Sequence, residues 1–194
     1  MAIALGYPGL IQPADESFMI AETERKFMEL YFLRHGLAVE QGTPGYHDDA
    51  DRPLTPKGER KLWRIAQAME ALEISFDLIL SSPYLRARQT AEIIAAAFNA
   101  RKKLEFSNDL TPGGSSKSLI QFLSEVKPTP GSILLVGHEP YLSGLISLLI
   151  SGETGISVVM KKGGLCKLTV KVLRNGRCAS LEWLLTPKQM GLMA

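Results

Sequence analysis

Leu30-Tyr31-Phe32-Leu33-Arg34-His35-Gly36 is the stretch from which the rest of the chain can be read. Its first four residues are apolar, two of them aromatic, which suits a buried β-strand. The strand then meets two basic side chains and a glycine. Glycine permits a sharp turn and a close backbone approach to a ligand. Arginine offers a planar fork of donors suited to phosphate oxygens. Histidine can act as nucleophile, acid or base near neutral pH. A strand end of this composition is built to meet an anion. Three letters occur together by chance, so the reading depends on what distant residues bring to the same place.

Two later segments repeat the device. Residues 76–80 read as a second strand, followed by Ser81-Ser82-Pro83-Tyr84-Leu85-Arg86. A hydroxyl residue before proline marks a helix start, predicting a helix over about 84–98 with Ser82 as its N-cap. Arg86 then falls at the end of the first turn, near free amides and a positive dipole end that favour an anion. Residues 132–136 form the most strand-like run of the chain; they end at Gly137-His138, and Pro140 opens a helix to about Ile150.

Between these segments, Thr55-Pro56 reads as another capped helix start, with Leu62, Ile65, Ala66, Met69 and Leu72 on one face. A short strand over 103–106, a loop over 107–116 and a helix over 118–126 follow. Past residue 150 the pattern changes to strands over 156–160, 165–173 and 179–185. The last two are joined through Arg174-Asn175-Gly176, a strong hairpin signature. Strand–helix alternation followed by antiparallel strands predicts an α/β protein: a three-layer α/β/α sandwich with a mixed, mostly parallel sheet.

The composition sets bounds on function. The 194 residues, 45% of them apolar, are enough for one sizeable core. The reading is an N-terminal arm over 1–27, without clear periodicity, ahead of one domain over 28–194. Net charge is +2 with both signs interspersed, which gives no footprint for nucleic acid. No apolar run reaches the ~18 residues that span a bilayer, and no secretory leader is recognisable. The two cysteines, Cys166 and Cys178, form no CxxC pair and read as reduced. A cytoplasmic monomer without a cofactor is expected.

In open α/β sheets, ligands bind beyond the carboxyl ends of the strands. Two guanidiniums and two imidazoles would meet there, and a phosphoryl group is their natural occupant. The three motifs, RHG, SSPYLRARQTA and GHEP, resemble those of the histidine phosphatase superfamily, which includes the phosphoglycerate mutase-like proteins. DRPLTPKGERK, DLTPGG and the small size resemble its SixA-type phosphohistidine phosphatases. The likeness spans residue 28 to about 187. It implies that His35 is a nucleophile that becomes transiently phosphorylated, and that Arg34, Arg86 and His138 hold the phosphoryl oxygens, with Gly36 beside them. His138, on this reading, works best protonated. The flanking cations should lower the pKa of His35.

Leaving-group chemistry bears on the substrate. An ester must expel a poor alkoxide, so its hydrolysis normally uses a general acid. Glu139 and Asp109 are candidates, although neither matches the position or type that the family's ester-cleaving branches use. A phosphoramidate can depart as a protonated imidazole with little help. The expected activity is therefore a metal-independent phosphatase acting on protein phosphohistidine. The alternatives are a small-molecule phosphomonoesterase and an inactive phosphoprotein-binding module.

Several other residues have plainer readings. His47 with Asp48, Asp49 and Asp51 matches no zinc or calcium spacing and reads as a hydrated loop over the site mouth. Gly113-Gly114 reads as a turn. Arg88 and Arg64 read as solvated helix residues, and Trp63 and Trp183 as core.

Overall fold

The computed structural model describes residues 27–194. The expected arm therefore lies outside the described residues, apart from Phe27. At the centre of the sheet runs β1 (Met28–Arg34), parallel to β4 (Ser132–Gly137) on one side and antiparallel to β5 (Leu165–Val170) on the other. Beyond β4 lie β2 (Leu78–Ser81) and then β3 (Leu104–Phe106), both parallel; beyond β5 lies β6 (Ala179–Leu185), antiparallel. The strand order is β3-β2-β4-β1-β5-β6, the mixed, mostly parallel sheet expected.

The unbroken apolar run of β1 follows from helices covering both faces. Tyr31 and Leu33 point into a core shared with α1 (Pro56–Ala71), α2 (Leu85–Ala97) and the short α5 (Pro187–Met190). Leu30 and Phe32 point the other way, into a core shared with α3 (Ser116–Glu125) and α4 (Tyr141–Ser151). Thr55 caps α1 as expected, its hydroxyl accepting from the Gly58 N–H with Pro56 at the first helical position. Among the described residues, no helix is long and apolar enough to cross a membrane.

Three expectations need correction. Residues 156–160 form no strand, because β5 and β6 already occupy that side of the sheet. Val158 and Met160 pack on the α3/α4 core instead, and Val159 faces solvent. Asn175-Gly176 sits within a longer connection over 171–178 rather than a two-residue turn. Trp63 is half exposed: α1 buries the Leu62, Ile65, Ala66 and Met69 stripe, and position 63 falls on its flank, over a groove with Gln89 and Ile93.

Register is what places the site. In the parallel β1/β4 pair Arg34 stands opposite Gly137, and in the β2/β4 pair Ser81 stands opposite Val136. β1 and β4 therefore end level and β2 one residue sooner, so His35, His138 and the chain leaving Ser81 emerge at the same edge of the sheet.

The loop after β1 is clamped by α1 at Gly58, where a Cβ would lie 2.1 Å from the Leu37 carbonyl oxygen. Helix propensity alone favours Gly58→Ala by about 1 kcal/mol; the clash reverses the sign. Gly58→Ala should lower stability by about 1–3 kcal/mol in urea titration, whereas Gly113→Ala, with no heavy atom within 4 Å of the added Cβ, should leave the midpoint almost unchanged.

Candidate active site

His35 leaves β1 and is buried, its backbone N–H bonded to the Gly137 carbonyl at 3.0 Å. Its Nδ1–H donates to the Gly36 carbonyl at 2.8 Å. A carbonyl can only accept, so the proton is on Nδ1 and Nε2 keeps its lone pair. The Arg86 Nε–H points at that lone pair from 3.3 Å. The His138 ring lies 5.1 Å away, centroid to centroid. The structure thus brings His35, Arg86 and His138 together, as the strand-end reading expects.

Arg34 stands at the same strand end. Its Nη1 donates to the Met160 carbonyl at 2.7 Å, while its Nε is buried without a partner among the described residues. Gly36 approaches α1 so closely that a Cβ would sit 2.8 Å from Leu62 Cδ1. Its N–H donates to Thr90 Oγ1 at 3.1 Å, and the Thr90 hydroxyl donates to the Arg86 carbonyl at 2.6 Å. This pair of bonds ties the turn after β1 to the first turns of α2.

Ser82 is not the N-cap of α2. The helix begins at Leu85 with Tyr84 before it, so Arg86 is its second residue. The Ser82 hydroxyl lies 2.9 Å from His138 Nε2 and accepts from the Tyr84 N–H at 3.3 Å. The hydroxyl that sequence assigns to the helix thus serves the second imidazole. Tyr84 completes this wall, its ring 5.2 Å from that of His138 and 5.3 Å from the Arg86 guanidinium carbon.

Burial dominates the electrostatics. It pushes the pKa of His35 down to about 3, with the charges of His138, Arg86 and Arg34 acting in the same direction. The expectation that flanking cations lower this value holds in sign, but desolvation is the larger cause. His138 is also pushed down to about 3, by burial first and Arg86 second. Without a dianion beside it, His138 is neutral rather than protonated.

The carboxylate on the reactive cluster is Asp49, which the sequence reading leaves in a hydrated loop. Its Oδ2 accepts from Arg86 Nη2 at 2.7 Å, and its carbonyl accepts from Arg86 Nη1. Its Oδ1 accepts from Nε and Nη2 of Arg52. Burial raises the pKa of Asp49, but bonds from Arg52 and Arg86 outweigh it and hold the carboxyl below its ordinary value. The two acid candidates have other hydrogen-bond and backbone contacts. Glu139 Oε1 accepts from the Ser143 N–H at 3.2 Å, on the first turn of α4, and its charge acts on Arg34. Asp109 lies in the loop after β3, where Gly114 presses on its backbone. Arg88 points away from the site and pairs with Glu92, as its helical position implies.

Neutral burial of two histidines has a measurable cost in acid. An unfolded histidine takes up a proton near its ordinary value of 6.5, whereas these two resist until about 3. The unfolded state thus binds more protons below about pH 6.5. Stability should fall as pH drops from 6.5, by up to about 1.4 kcal/mol per unit for each histidine. Urea titrations at pH 7, 6 and 5 should show this slope, and a His35→Gln/His138→Gln variant should flatten it.

Comparison with known proteins agrees with this geometry. The family model of the histidine phosphatase superfamily (branch 1) matches residues 30–111. A phosphohistidine phosphatase SixA homolog of Haemophilus influenzae is 30% identical over 138 residues, covering 67% of this chain and 82% of the relative. An uncharacterized protein of Picosynechococcus sp. is 42% identical over 142 residues, covering 73% and 84%. The structure of the protein histidine phosphatase SixA complexed with tungstate superposes with a TM-score of 0.70 at 24% identity, over 83% of this chain and 98% of that one. This chain belongs to the histidine phosphatase superfamily.

Proposed function

We propose that this protein is a phosphohistidine phosphatase working through a phosphorylated His35, with Arg34, Arg86 and His138 holding the phosphoryl oxygens. The observation that carries the reading is the His35 tautomer: Nδ1–H is fixed on Gly36, and the Nε2 lone pair is aimed at the Arg86 guanidinium. A phosphoryl group entering between those two groups meets a nucleophile and a charge-assisted donor together. Nε2 attacks phosphorus, the P–N bond of the substrate breaks, and the departing imidazole keeps its proton. Water then attacks the phosphorus on His35, the P–Nε2 bond breaks, and orthophosphate leaves with the water's oxygen and protons while Nε2 regains its lone pair. Phosphoryl transfer needs positioning and charge stabilisation more than covalent help. The cations present can supply both, so the reading requires no metal.

The choice of phosphohistidine over esters is supported by two points. The Haemophilus relative carries that activity in its name. Asp49, the carboxylate bonded to the reactive cluster, is held ionised by two arginines and has no proton to give an alkoxide. A second reading, a small-molecule phosphomonoesterase, is favoured by Glu139, whose charge reaches Arg34 at the rim.

Hydrolysis of a phosphohistidine-charged carrier domain should proceed in EDTA, and His35→Ala should abolish it. Arg86→Ala should lower kcat/KM by about 100- to 1000-fold, the loss typical of one preorganised transition-state donor. Glu139→Gln should leave phosphohistidine turnover intact; loss of p-nitrophenyl phosphate hydrolysis in that variant would favour the ester reading. An incoming phosphoryl group must also displace Asp49 from Arg86. Asp49→Asn should therefore tighten inhibition by orthophosphate by about fivefold, the order expected for a partly exposed ion pair. Asp51→Asn, a neighbouring exposed carboxylate, should not.

A further inference from the structure

The overall charge balance hides a segregated surface. Lys57, Arg60, Lys61 and Arg64 all stand exposed on α1. They lie three or four residues apart, the spacings at which like charges on a helix repel. Lys57 also stands in the first turn, where the macrodipole disfavours positive charge, although Glu59 shares that turn. The ion pairs among the described residues involve Arg52, Arg86, Arg88 and Lys167 and none of these four. No acidic residue lines either hollow on this face, one beside Trp63 and Gln67 and the other between Arg64 and Lys188. Among the described residues, the acid nearest in sequence to these four is the exposed Glu59, and it forms no ion pair with them.

The surface continues to the mouth of the site. Gly58 of α1 abuts the Leu37 carbonyl, one residue past Gly36. On the other flank, exposed Lys161 and Lys162 precede Gly163, whose N–H donates to the carbonyls of Arg34 and His35. A Cβ at Gly163 would lie 2.9 Å from Ile65 of α1. Cations therefore run from α1 to the strand end that presents the nucleophile.

We infer that this face docks an acidic protein surface surrounding the phosphohistidine, which makes the substrate a protein rather than a small metabolite. The inference rests on the phosphohistidine reading above. Lys57 to Arg64 spans about 10 Å of helix axis at 1.5 Å per residue, more than a phosphoryl group held at Nε2 could touch. A partner of opposite sign relieves the like-charge repulsion along α1 and is steered to the site as it approaches.

The test uses three substrates: a peptide with one phosphohistidine flanked by Asp and Glu, the same peptide flanked by Lys, and free phosphohistidine. At low salt the protein should cleave the acidic peptide with a kcat/KM at least about tenfold above the basic one, the lower range of electrostatic steering. Near 1 M salt, where screening acts within about 3 Å, the ratio should approach one. The Lys57→Glu/Arg60→Glu/Lys61→Glu/Arg64→Glu variant should invert the preference and leave free phosphohistidine turnover unchanged. The corresponding alanine variant, milder for folding, should abolish the preference. Equal rates on both peptides, or a preference that survives either variant, would overturn the docking assignment while leaving the chemistry standing. So would equal peptide rates with salt-sensitive binding to phosphatidylglycerol vesicles, which would make this face a membrane contact. Failure of the parent protein on all three substrates would overturn both the docking assignment and the phosphohistidine reading.

Discussion

The register that ends three parallel strands within one residue of each other is the constraint on which the site depends. Arg34 is registered against Gly137 and Ser81 against Val136, so three chain segments far apart in sequence deliver His35, Ser82 and His138 to one point. A one-residue slip in either pair would turn the next side chain to the opposite face of the sheet. Register is protected by burial on both faces: Leu30 and Phe32 pack on one side, Tyr31 and Leu33 on the other. The chemistry thus rests on the hydrophobic effect acting through strand pairing. The close packing of Gly36 on Leu62 and of Gly58 on the Leu37 carbonyl then fixes the loop that leaves β1.

Burial creates the reactivity and also the cost. An imidazole enclosed among cations stays neutral, and a neutral imidazole is what an attack on phosphorus requires. Among the described residues, the same enclosure leaves Arg34 Nε and His138 Nδ1 without partners. Unpaired buried polar groups are destabilising. Arg86, by contrast, is partnered: Asp49 places a carboxylate on it from a loop that Arg52 secures.

Much of this was legible in the sequence because the strand-end residues carry their chemistry in their type. RHG after an apolar run, SSPYLR after a second and GH after a third specify both the sheet and the cluster. Ser82 was read as a helix cap, since a serine before proline looks the same whether its hydroxyl serves a helix or a distant imidazole. Asp49 reads in sequence as part of a hydrated loop over the site mouth, because its partner Arg86 lies 37 residues away, beyond any local pattern. The supposed strand over 156–160 failed for a nonlocal reason: its sequence suits a strand, but the sheet has no free place for one beside β1. Trp63 was misplaced by the breadth of the α1 stripe, which a list of apolar positions does not delimit. Charge segregation on α1 was obscured by a net charge of only +2.

The central claim is that phosphate passes through Nε2 of His35. Rapid mixing with a phosphohistidine-charged carrier domain, quenched in alkali where phosphohistidine survives, followed by phosphorus NMR and peptide mapping, tests it directly. Transient label is expected on His35, bonded at Nε2, appearing and decaying at rates compatible with turnover. Full turnover with no covalent label, or label residing on His138 instead, would contradict it.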